Sequence, residues 1–175
     1  MKPIIISGGP GAGKTTLINA LSARGHQTFA ESSRQLIEQQ SQLEGGVLPW
    51  TNLTGFAELC LDVMGEQKQA AIASRRLSFM DRAIPDICAY LKQGEIEVDD
   101  KYVEGCKGYH PQVFFCRPEA SIYVQDDVRP YPFEEALQIH HQLENTYREL
   151  GFEVVDVPWG SVEQRVDEIL AYVRK

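Results

Sequence analysis

The sequence predicts an α/β sandwich: a mostly parallel sheet of five strands with helices on both faces. Three observations point there. Short apolar runs alternate with longer stretches in which apolar residues recur every three or four positions, the periods of buried strands and amphipathic helices. The first run, residues 3–7, passes through a glycine-rich turn directly into a helical pattern. Strand and helix then follow one another along the chain, which calls for parallel strands joined by right-handed crossovers.

The elements follow in order. Ile4, Ile5 and Ile6 read as a buried strand, and Leu17 and Leu21 lie on the apolar face of a helix that ends at Arg24-Gly25, where glycine suits the left-handed C′ position. Residues 26–30 form a second strand with Glu31 at its carboxyl end. Ser32 and Gln35 have capping-box spacing for a helix running to about residue 43, stopped by Gly45-Gly46. A loop with Pro49 and Trp50 precedes a long helix over residues 54–74, marked by Phe56, Leu59, Cys60, Val63 and Met64. Residues 77–80 are a third strand ending on Asp81, and a helix over 85–93 stops at Gly94. Residues 95–108 read as an irregular acidic stretch, and 113–116 as the fourth strand. After Arg117-Pro118 the chain is polar to Phe133, where Ala136, His140, Leu143 and Tyr147 begin to line one helix face. Gly151 ends that helix, residues 152–157 are the fifth strand, and a Ser161–Gln164 capping box opens the last helix.

The 175 residues suit one domain, 1–175, with no Pro/Ser-rich linker to divide it. No apolar run is long enough to span a membrane and the N-terminus lacks a signal-like segment, so a soluble, cytoplasmic protein is expected. Seventeen basic against 25 acidic residues, a net charge of −8, argue against nucleic acid or an anionic membrane as the general partner. The four cysteines have no C-x-x-C spacing; Cys60, Cys88 and Cys116 sit in apolar contexts, while Cys106 is the one expected to be exposed. Trp50 and Trp159 read as partly buried anchors, and His140 and His141 as helix residues rather than metal ligands.

Chemistry concentrates at Gly8-Gly9-Pro10-Gly11-Ala12-Gly13-Lys14-Thr15-Thr16, which fits the phosphate-loop pattern G-x-x-x-x-G-K-[ST] in the strand–turn–helix context that pattern needs. Glycines let successive N–H groups turn toward phosphate oxygens, and the following helix aims its positive end at the same point. Lys14 adds a charge for the β- and γ-phosphates, and Thr15 supplies a hydroxyl for Mg²⁺. Ligands of open parallel sheets bind at the carboxyl ends of strands, where Glu31, Asp81 and Arg117 all fall. Asp81 suits the second acid of such a site, a Mg²⁺ partner; either it or Glu31 can serve as the base toward an acceptor hydroxyl. Arg129, the one lysine or arginine between Pro118 and Tyr147, is placed to neutralise a transferring phosphoryl group. Arg34 and Arg82 can bind a substrate phosphate or hold the neighbouring acid, and Arg117 can lie flat on a nucleotide base.

These residues give the chain a resemblance to P-loop kinase-like families, specifically to the AAA-type ATPase/kinase domain shared with NadR-type ribosylnicotinamide kinases. The matching pieces are residues 8–16, Glu31-Ser32-Ser33-Arg34, Phe79-Met80-Asp81-Arg82-Ala83-Ile84-Pro85-Asp86, Asp127-Val128-Arg129 and residues 151–158. The resemblance implies a P-loop NTPase three-layer sandwich with strand order 2-3-1-4-5 and a lid at about 118–132 around Arg129. Glu31 is then similar to the acid that nucleoside kinases use on a sugar hydroxyl, and Asp81-Arg82 to the acid-Arg pair of nucleoside and thymidylate kinases. A single lid arginine, where nucleotide kinases often carry several, points away from a strongly charged acceptor. The absence of Asn-Lys-x-Asp argues against an ordinary GTPase switch. The expected function is a Mg²⁺-dependent kinase moving the γ-phosphoryl of ATP to a hydroxyl of a nucleoside-like or other small acceptor. A nucleotide-dependent regulatory module or slow NTPase, using ATP or GTP, is the alternative.

Overall fold

The computed structural model describes residues 1–125 and 132–175. Its sheet has five parallel strands, β1 (Ile4–Ser7), β2 (Gln27–Phe29), β3 (Ser78–Asp81), β4 (Gln112–Cys116) and β5 (Glu153–Val157), ordered β2-β3-β1-β4-β5. This is the expected three-layer architecture and strand order. The central β1 is buried on both faces, which is why it reads as an unbroken isoleucine run instead of an alternating strand.

Side chains alternate across the sheet and define two cores. Ile4, Ile6, Phe79 and Phe114 pack with Leu17 and Leu21 of α1 (Lys14–Ala23) and Val166 and Ile169 of α7 (Val162–Val173). On the other face Ile5, Met80, Val113 and Phe115 meet α3 (Leu53–Ser74), α4 (Ile84–Gln93) and α6 (Phe133–Glu149). The α7 cap is the Ser161–Gln164 box the sequence predicts.

Several local expectations are corrected. Helix α2 (Ser32–Ser41) has Glu31, not Ser32, at its N-cap; Ser32 is the first helical residue and its hydroxyl is buried without a hydrogen-bond partner among the described residues. The acidic stretch contains a short helix, α5 (Asp100–Gly105), too short to show a period in sequence. The carbonyls of its last residue, Gly105, and of Lys107 just beyond accept from the buried Lys68 ammonium at 2.6 and 2.7 Å, a cap supplied by α3. Cys106, expected at the surface, is buried against Cys88 with the sulfurs 3.8 Å apart. Trp50 and Trp159 are exposed, at 62% and 50%. Among the described residues no helix is long and apolar enough to cross a membrane.

Candidate active site

The loop between β1 and α1 lies at the carboxyl edge of the sheet, where β3 and β4 flank it. Gly8 must be glycine: its φ is +136° and a Cβ there would stand 1.9 Å from the Cys116 carbonyl oxygen. Gly9 is pressed against α6, whose His140 Nδ1 accepts the Gly9 N–H at 3.1 Å. Lys14 is buried and donates to the Gly9 carbonyl at 3.0 Å. Its burial and the nearby Arg82 cation pull its pKa down to about 8, with Asp81 and Glu31 opposing.

Asp81 ends β3 beside this loop, its Oδ2 accepting from the Thr15 hydroxyl at 3.4 Å. Its other carboxyl oxygen is buried with no hydrogen-bond partner among the described residues. Burial, reinforced by the Glu31 and Asp86 carboxylates, raises its pKa to about 6 despite Lys14 and Arg82. An orphaned carboxyl oxygen beside a threonine hydroxyl is a donor set that fits a small hard cation such as Mg²⁺, which takes few protein oxygens and completes its shell with phosphate and water.

Arg82 follows with a left-handed backbone (φ +66°), uncommon for a non-glycine residue. The conformation is fixed by its N–H to the Ile6 carbonyl at 2.9 Å and by two buried ion pairs, Nε to Glu31 at 3.1 Å and Nη1 to Asp86 at 3.3 Å. Burial opposes its charge, but Tyr90, Glu31 and Asp86 together hold its pKa well above the ordinary value. Burial likewise pushes Glu31 upward, and Arg82, Lys14 and the Ser33 hydroxyl more than offset this, leaving the carboxyl below its usual value. Arg82 therefore holds an acid rather than standing free.

Asp86 carries the most concentrated polar network. It is fully buried at the third position of α4 and accepts from Ser7 Oγ at 2.6 Å, the Ala83 N–H at 3.0 Å, Arg82 and the Tyr147 hydroxyl. One carboxylate thus ties β1, the β3–α4 turn and α6 together. Sequence reading places Asp86 only in a resembling string and assigns it nothing; an acid at N3 behind proline is the one local signal, and it suggests a helix cap.

A cavity of about 670 Å³ opens from the phosphate loop. Its lining combines the polar Lys14, Thr15, Glu31 and Arg82 with Ile37, Pro49, Leu53, Phe56 and Tyr90. Arg34 also lines it, with a long 3.8 Å contact to Glu38. Residues 45–56 contribute Pro49, Leu53 and Phe56 to the cavity wall, and Tyr90, Gln93 and Gly94 add to it. Arg117 is exposed and faces a second cavity of about 350 Å³, shared with Pro158, Trp159 and Arg165. Arg165, to which the sequence reading assigns nothing, is 4% exposed, donates to the Ala12 carbonyl at 3.3 Å and lies 5.0 Å from the Trp159 ring centre. Arg129 lies outside the described residues.

Comparison with known proteins bears on this arrangement. A family model described as an AAA domain matches residues 3–165. No relative among curated proteins matches the sequence. Among solved structures, a deoxyadenosine kinase from M. mycoides with dCMP and dCDP bound is 17% identical, with a TM-score of 0.67 and 98% of each chain covered. Shikimate kinase from Acinetobacter baumannii in complex with shikimate is 18% identical, with a TM-score of 0.58, covering 99% of this chain and 93% of that one. NadR in complex with NR is 14% identical, with a TM-score of 0.73, over 99% of this chain and 52% of that one. At these identities the likeness is one of fold, a P-loop kinase fold in each case. With the family match running from the first strand into the last helix and the phosphate loop at its head, the chain belongs to the AAA domain family.

Proposed function

We propose that the protein is a small-molecule kinase that transfers the γ-phosphoryl group of ATP, with Mg²⁺, to a hydroxyl of a nucleoside-like acceptor. The observation that carries the reading is one cavity lined together by the phosphate loop, Glu31 and the apolar Phe56, Leu53 and Ile37. A hydrolase needs room for water beside the γ-phosphate; a cavity of this size with apolar residues in its lining suits an organic acceptor.

Residues 8–16 would grip the triphosphate, with Lys14 on the β- and γ-phosphates. The second cavity, between Arg117 and Trp159, suits a nucleotide base. Thr15 and Asp81 would hold Mg²⁺, which when bound neutralises phosphate charge. Glu31 faces the acceptor cavity while Asp81 does not line it, so we assign the hydroxyl to Glu31 and the metal to Asp81. The acceptor oxygen forms its bond to the γ-phosphorus as the bridging P–O bond to ADP breaks, and the hydroxyl proton passes to the Glu31 carboxylate. A carboxylate with a lowered pKa is a weak base, which is adequate because phosphoryl transfer relies mostly on positioning. Arg82 keeps Glu31 aimed, and Arg129 would neutralise charge on the transferring group.

Arg82 is committed to Glu31 and Asp86, so among the described lining residues Arg34, held only by a long contact to Glu38, is the guanidinium that could meet a charged group on the acceptor. The test is thermal stabilisation by nucleosides, vitamins and sugars in the presence of a nonhydrolysable ATP analogue, followed by an ADP-release assay on the compounds that stabilise. The kinase reading fails if nucleotide binds but no hydroxyl compound accelerates ADP release; a nucleotide-dependent regulatory module is then the better description.

A further inference from the structure

We propose that His140 is a positioning residue of the nucleotide site: from α6 it fixes the phosphate loop by accepting the Gly9 N–H, and protonation of its ring releases that hold. The inference rests on the nucleotide-binding reading above.

His140 is 1% exposed, its ring edge-on to Phe115, and both its nitrogens are committed. Nδ1 accepts from Gly9 at 3.1 Å, and Nε2 lies 2.8 Å from the Glu144 carboxylate, whose other oxygen takes Arg148 at 3.1 Å. A backbone N–H can only donate and a carboxylate can only accept, so the pair of contacts selects the neutral ring with its proton on Nε2. A second proton would have to sit on Nδ1, where it points at the Gly9 N–H. Two donors then face each other in a buried contact, and the loop has to move.

Gly9 has no slack to absorb this in place. A Cβ on it would stand 2.8 Å from the His140 Cβ and 2.9 Å from the Ala136 carbonyl, so loop and helix already touch at backbone distance. On its far side the Gly9 carbonyl takes the Lys14 ammonium. The same glycine is therefore gripped by the histidine through its N–H and by the phosphate-binding lysine through its C=O. If Lys14 turns to a phosphate oxygen, the histidine bond remains to hold the loop.

The groups facing the ring decide its charge. Glu144 on α6 favours the proton; burial, His141 beside it and Arg117 from the chain after β4 oppose it, and the net direction is downward from the ordinary value. The ring is thus neutral, and the loop held, at neutral pH. With the folded pKa below the unfolded value, the unfolded chain binds the extra proton first, so this contribution to the ordered loop weakens as pH falls below 6.5.

The experiment titrates a fluorescent ATP analogue with Mg²⁺ into wild type, His140→Asn and His140→Leu from pH 5 to 8. Asparagine places an amide oxygen where Nδ1 stands but does not titrate; leucine fills space without accepting. Expected at pH 7.5 are affinity within about threefold of wild type for His140→Asn and a loss of about tenfold or more for His140→Leu. Between pH 6.5 and 5 wild type should lose affinity more steeply than His140→Asn. Asp81 and the nucleotide's own phosphate titrate in both proteins, so the difference between the two curves isolates the ring. Wild-type affinity in His140→Leu, or parallel acid losses in wild type and His140→Asn, overturns the proposal. If His140→Leu does not fold, the comparison of wild type with His140→Asn still decides. Saturable binding by wild type together with either overturning result leaves the kinase reading intact, whereas no binding by wild type at any pH defeats that reading as well.

Discussion

Replacing Asp86 with alanine removes the shared acceptor of Ser7, the Ala83 N–H, Arg82 and Tyr147 in one step. Arg82 is then left in a site 6% exposed with Glu31 as its remaining carboxylate. Removing one partner of a buried ion pair costs about 3–5 kcal/mol, and each buried donor left without an acceptor about 1–3 kcal/mol more. These terms overlap, because the Ser7 and Tyr147 hydroxyls can rotate and the space of a carboxylate can admit water, so the expected loss is about 4 kcal/mol. For a chain of this length that lowers Tm by roughly 8–16 °C. Urea unfolding followed by circular dichroism measures it, with Asp86→Asn as the companion that keeps shape and one acceptor but removes charge. The double variant Arg82→Met/Asp86→Asn should lose less than the sum of its parts by about 1–3 kcal/mol, since it removes both members of the pair. A loss below about 1 kcal/mol for Asp86→Ala would refute the argument that this carboxylate ties sheet and helices together.

Three further outcomes are expected. Lys14→Met should abolish tight nucleotide binding yet stabilise the ligand-free fold at pH 7 by about 1–3 kcal/mol, because the lysine is buried as a cation. A lysine whose folded pKa is lowered to about 8 from 10.5 regains stability as pH rises through that interval, so the advantage of methionine should fade across it in thermal scans. Asp81→Asn should also stabilise at pH 7, by about 1–3 kcal/mol. Here the folded pKa is raised to about 6 from 3.8, so the wild-type penalty is full above pH 6 and relieved as pH falls to 3.8; the two melting curves should converge there, and Mg²⁺ should no longer tighten nucleotide binding to the variant. Arg129→Ala, if that residue neutralises the transferring group, should lose about 10³-fold in turnover at nearly unchanged ATP affinity in steady-state kinetics, and wild-type turnover would remove its assigned role.

The phosphate loop and the sheet were legible in the sequence because their signals are local. A glycine-rich turn between an isoleucine run and an amphipathic helix has one common structural solution, and strand and helix periods show in a single pass. The ends of β3 and β4 could therefore be read to within a residue, and with them the positions of Asp81 and Arg117 at the carboxyl edge. The partners of those residues were not legible. Glu31 and Arg82 are 51 positions apart, Asp86 and Tyr147 61, and Gly9 and His140 131; the first pair meets because β2 lies beside β3, and the other two because α6 packs against α4 and behind the loop. Periodicity places a residue on a face without saying what stands opposite. His140 and Tyr147 read as helix core and turn out to hold the loop and Asp86, and Arg165, which carries no local signal in the sequence, is buried against Trp159. The sequence by itself determined the elements and the phosphate grip; strand order and helix packing decided which charges pair, because that is set by contacts between segments remote along the chain.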